Sequence, residues 1–163
     1  MRRSAFSTVV VLLGTAFLYT ASAEEGKGGV ARPENFREWN HVKSMVILPG
    51  HPLADSFGGM HHVYVNDKGL EAAKRGGPYP DGTVFVFDLF ESPEKDRAHV
   101  AGKRKFTAAM VKDRKAHAET GGWGFAVFQP DGSGGLVPDA KGACFSCHAS
   151  QKENDFVFSR WGE

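Results

Sequence analysis

TVFVFDLF, residues 83–90, is apolar on both sides of an extended backbone: Phe85, Phe87 and Leu89 fall on one side, Val84, Val86 and Phe90 on the other. A strand with two apolar faces belongs in the buried centre of a sheet. It is entered through Pro80, Asp81 and Gly82, a turn in which proline sets one φ angle and glycine permits another.

Four more runs read as strands, Val42–Leu48, Met60–Val65, Lys105–Lys112 and Trp123–Gln129. Alternation in the second puts Met60, His62 and Tyr64 on one face and His61, Val63 and Val65 on the other. Two helices are predicted. Glu34–Asn40 follows Pro33 and spaces Phe36 and Trp39 three apart, and Gly69–Arg75 stops at Gly76 and Gly77, where glycine takes a left-handed cap. The gaps between strands are too irregular for a βαβ repeat. The predicted class is therefore α+β, a mainly antiparallel five-stranded sheet with about two helices to one side.

The first 23 residues read as a signal peptide: Arg2 and Arg3, an apolar run from Val9 to Leu18, then Ala21, Ser22 and Ala23 as a small-residue cleavage site. The apolar run is broken by Gly14 and Thr15 and is too short for a transmembrane helix. An exported, periplasmic protein is expected. Loss of the leader removes two arginines and no acid, taking the formal charge from +1 to −1, a balance that implies neither a nucleic-acid nor a membrane partner. The remaining 140 residues suffice for one domain. Residues 24–32, glycine-rich and nearly without large apolar side chains, read as a flexible segment ahead of a single domain over 33–163.

Both cysteines of the chain fall in Cys144-Phe145-Ser146-Cys147-His148, a C-x-x-C-H motif. Two thiols at this spacing reach the two vinyl groups of one porphyrin, and the adjoining imidazole becomes the proximal iron ligand, so one covalently attached haem c is expected. A structural zinc site would need a fourth, distant ligand. A thioredoxin-like pair belongs early in a βαβ unit, whereas this motif lies near the C-terminus. A short-loop disulfide between Cys144 and Cys147 is the remaining rival. Most small c-type cytochromes are helical with the motif near the N-terminus; a β-rich body followed by the motif points away from the ordinary electron carrier.

The stretches HVKSMVI (41–47), FGGMHHVYVN (57–66), DGTVFVFDLFE (81–91), TGGWGF (120–125), ACFSCH (143–148) and VFSRW (157–161) resemble the cytochrome P-460 family, which includes cytochrome c′-beta. The resemblance implies a five-stranded antiparallel sheet with two helices, a homodimer, and one haem with a proximal histidine. It implies one of two activities: oxidation of hydroxylamine with a lysine linked to the porphyrin, or binding of nitric oxide in an aromatic pocket without that link. By motif Cys144, Cys147 and His148 carry over. The nearest lysines to the expected crosslink are Lys68 and Lys74, before the 83–90 strand, and Asp139 stands about where a distal acid for hydroxylamine oxidation would; its other reading is a turn residue.

Phe57, Phe85 and Phe87 are candidate walls of the distal side, with core packing as the alternative. Met60 is a candidate sixth ligand, which would make the haem an electron carrier working with a redox partner protein; in a strand beside two glycines its other role is packing. Arg160, next to Trp161, is a candidate partner for a haem propionate. His61 and His62 are adjacent and face opposite sides, so at most one can reach a single iron. His41, His51, His99 and His117 have no ligand spacing among themselves.

Overall fold

The computed structural model describes Glu25, Gly26 and residues 29–162. The expected signal peptide lies outside the described residues. Strands β1 (Glu25–Gly26) and β2 (Val30–Ala31) pair as an antiparallel ribbon. The main sheet is built from β3 (Asn40–Ile47), β4 (Gly59–Val65), β5 (Val84–Phe90) and, after a second ribbon of β6 (Glu94–Lys95) and β7 (Ala98–His99), β8 (Arg104–Lys112) and β9 (Trp123–Phe128). Its order is β3-β4-β5-β8-β9, antiparallel throughout, with β5 in the middle as its two apolar faces require.

The α+β class and the five strands agree with the sequence expectation. The helices differ. Among the described residues three are present: α1 (Ala54–Phe57), α2 (Asp67–Arg75) and α3 (Ala140–His148), the last running into a 3₁₀ stretch, Ala149–Asn154. Of the helix expected over Glu34–Asn40 only a 3₁₀ turn, Phe36–Glu38, exists, because Trp39 is already extended (φ −80°, ψ 178°) and feeds β3. The helix ending at Arg75 is capped as expected, Gly76 adopting φ +82°.

Register decides what each face meets. Val63 and Val65, Phe85, Met110, and Phe125 and Val127 point to one side, where they form the main core with Ala72 and Ala73 of α2, Tyr79, Ala140 and Val157; Cys144, Phe145 and Phe156 pack against it. The opposite face carries a smaller cluster of Ala109, Ala126 and Phe128, covered by Val30. Val30 is 2% exposed, so the glycine-rich segment expected to be flexible is anchored at this residue by burial of one isopropyl group. Asp88, fully buried on that same face, is held by Arg104 through two hydrogen bonds of 2.6 and 3.1 Å. Among the described residues no helix is long and apolar enough to cross a membrane.

Candidate haem-binding site

Asp139 caps α3: its carboxylate accepts a hydrogen bond from the Gly142 amide at 2.9 Å. One turn later come Cys144 and Cys147, both free thiols, spaced so that they share a helix face. Cys144 is half-buried, and burial, then Cys147 and Asp139, raise its pKa; Cys147 is exposed. His148 ends the helix.

Among the described residues the His148 ring makes one hydrogen bond, Nδ1 to the Phe156 carbonyl at 2.7 Å. A carbonyl only accepts, so the proton sits on Nδ1 and the lone pair on Nε2. Burial lowers the His148 pKa, against the opposing pull of that hydrogen bond, and so favours the neutral imidazole, the form that binds metal. Phe125 and Phe158 flank the ring, with centroids at 5.1 and 5.0 Å. The acceptor is itself fixed. Trp123 Nε1 donates to the Asp155 carbonyl at 2.8 Å, and the Phe156 ring lies so close over Gly121 that no side chain fits there. Gly121 and Trp123 belong to the TGGWGF segment.

On the same face of the sheet as Phe125, β4, β5 and β8 present His61, Phe87 and Phe106. His61 stacks on Phe87 at 4.5 Å, Phe106 on Phe87 at 6.0 Å, and Phe57 from α1 meets both phenylalanines edge-on at 5.9 and 6.2 Å. Phe57 is 36% exposed, and Phe87 and Phe106 are only half-buried, so this is an aromatic surface that the polypeptide leaves partly uncovered. Within it His61 is 4% exposed, and its Nδ1 is buried without a hydrogen-bond partner among the described residues. Burial, then His62 and Lys43, push its pKa down to about 4, so it is neutral near neutral pH.

Other sequence candidates are placed elsewhere. Phe85 is 3% exposed and packs against Tyr79 (5.2 Å) and Trp123 (6.2 Å), which makes it core rather than pocket wall. Met60 alternates with His61 and therefore lies on the face turned away from α3, where it cannot serve the iron that His148 would bind. Arg160 is exposed; it stands near enough to Tyr79 to oppose the burial and the Asp155 charge that raise that phenol to about 12. Asp139 is exposed and committed as a helix cap. Lys74 pairs with Glu71 at 2.8 Å, and Lys68 lies over Gly82. His62 is tied to His41 through Ser44, by contacts of 2.6 and 2.8 Å on the far face.

Sequence reasoning missed Phe106 and the Asp155–Phe156 turn. Phe106 was reachable through register, since it pairs with Leu89 in the expected neighbour strand. The turn carries no local signal.

The cytochrome P460 family model matches residues 33–159. No curated protein matches the chain. The residues present fit the haem which that family implies: two unbridged thiols on one helix face, an imidazole whose Nε2 has no hydrogen-bond partner among the described residues, and a partly uncovered aromatic surface holding one nitrogen likewise unpartnered among them.

Proposed function

Because this chain belongs to the cytochrome P460 family, whose cofactor is haem iron, we propose that it is a periplasmic mono-haem c-type cytochrome that binds or redox-processes small nitrogen species such as nitric oxide. In this reading Cys144 and Cys147 hold the porphyrin through thioethers and His148 Nε2 ligates the iron. The observation that carries it is the commitment of His148 Nδ1 to the Phe156 carbonyl, directly after two thiols that form no disulfide. Haem iron supplies the site at which a small ligand is held and electrons are exchanged.

The chain's own contribution is then selection. Phe57, Phe87 and Phe106 exclude water and bulky ligands, and neutral His61 lies against that aromatic surface, 4.5 Å from Phe87 between ring centroids. Two features favour ligand binding over the alternatives. Asp139 is occupied as a cap, which speaks against a proton-removing acid for hydroxylamine oxidation, and Met60 lies on the far face, which speaks against a His/Met electron carrier.

The test is expression with export to a periplasm. One haem that survives acid-acetone extraction, with a ferrous form that rapidly takes up nitric oxide, is the expected result. Apoprotein with a Cys144–Cys147 disulfide would overturn the attachment. A ferrous absorption band far to the red of an ordinary haem, together with hydroxylamine turnover, would replace ligand binding by the crosslinked, hydroxylamine-oxidising reading.

A further inference from the structure

We propose that the ion pair between buried Lys112 and half-buried Asp155 is a positioning device that aims the Phe156 carbonyl at the proximal histidine and so tunes the iron; this rests on the reading of His148 as the iron ligand.

Lys112, on β8, is 2% exposed. Its ammonium donates to Asp155 Oδ1 at 2.7 Å and to the Gly121 carbonyl at 2.9 Å, and lies 4.8 Å from the centre of the Trp123 ring. Asp155 is taken up on its other atoms as well. Oδ2 accepts from the Tyr79 amide at 2.8 Å, and the main-chain carbonyl accepts from Trp123 Nε1 at 2.8 Å. One residue of the C-terminal segment is thus gripped by β8, by β9 and by the loop ahead of β5.

Stability alone does not account for this arrangement. Taking a lysine out of water is costly, and well-packed apolar replacements of buried ion pairs are often neutral or stabilising. What the grip supplies is orientation. Asp155 (φ +49°) and Phe156 (φ +67°) are consecutive non-glycine residues in the left-handed region, a conformation that persists only where surrounding contacts over-determine it. The left-handed pair turns the chain so that the Phe156 carbonyl meets His148 Nδ1 at 2.7 Å. Between the two runs only the 3₁₀ stretch Ala149–Asn154, interrupted at Gln151 (φ −102°, ψ 27°). No regular helix fixes the acceptor, so its place depends on the anchor at Asp155. A histidine that donates its second ring proton is a more basic ligand, which makes the strength of this hydrogen bond a control on the metal.

The experiment uses the haem-loaded protein and compares Lys112→Met and Trp123→Phe with the unaltered chain, reading the iron–histidine stretch of the ferrous form by resonance Raman together with the reduction potential and the thermal midpoint. The expected result is a lower stretching frequency and a higher potential in both variants, whichever way the midpoint moves. Frequency and potential both unchanged in either folded variant would overturn the proposal, because a merely structural pair would move only the midpoint. Trp123→Phe keeps an aromatic six-membered ring and removes the Nε1 donor, so it carries the test if Lys112→Met does not fold. His148→Ala run in parallel separates the two claims. If it keeps the iron–histidine band, the ligand assignment fails; if it loses the band while the other variants leave theirs unmoved, only the positioning role fails.

Discussion

Gly121→Ala should destabilise the protein through one identifiable contact. Gly121 has φ +65° and ends the 3₁₀ turn Ala118–Thr120. A methyl group there would sit 2.6 Å from Cζ and 2.7 Å from Cδ2 of Phe156, and nearer still to Cε2. The left-handed backbone costs an alanine about 1 kcal/mol. Displacing a packed aromatic ring adds about 1–3 kcal/mol. The sum, about 2–4 kcal/mol, is a large part of a total stability on the order of 10 kcal/mol, and at about 3 °C per kcal/mol it lowers the melting temperature by about 6–12 °C. Gly50→Ala is the control, since Gly50 also has positive φ (+92°) but no heavy atom within 4 Å of the added carbon; it should cost about 1 kcal/mol. Urea unfolding followed by far-UV circular dichroism measures both. Equal losses in the two variants would refute the steric argument, and so would a Gly121→Ala, Phe156→Ala double variant in which the two penalties simply add.

Asp88→Ala removes the carboxylate that holds Arg104 and should cost about 3 kcal/mol in urea unfolding, at the low end of the range for breaking such a pair because Arg104 retains some contact with water; the haem spectrum should not change, since Asp88 lies on the face away from α3. His61 has a folded-state pKa of about 4 against an ordinary 6.5, so above about 6.5 the group leaves stability untouched, and as pH falls from there to about 4 the unfolded chain takes up the proton first and stability declines. The full loss is about 3 kcal/mol, and His61→Phe should flatten that limb of the pH–stability curve; an unchanged limb would mean that other groups produce it. Asp139→Ala should lower stability by about 1 kcal/mol through loss of the α3 cap and, in the proposed ligand-binding reading, leave nitric oxide affinity unchanged. A loss of hydroxylamine oxidation by a factor of about 100 in that variant would instead make Asp139 a general base.

The strands were legible because alternation is a property of the backbone itself. All five were located to within two residues, and the parity of Met60, His61 and His62 followed without any tertiary information. The C-x-x-C-H motif is equally local, being five consecutive residues. Parity says which residues share a face but not which face the C-terminal chain covers. That choice is made by the packing of α3 against β9, and it separates His61 from Met60. It also reassigns Phe85 to the core, beside Tyr79 and Trp123, and brings Phe106 to the aromatic surface through its pairing with Leu89. Least legible was the support of His148. Asp155 lies far in the chain from Lys112 and Trp123 and each reads as an ordinary residue, and their shared task arises only when strand pairing places Lys112 opposite Trp123 and the C-terminal segment folds back to bring its aspartate to both.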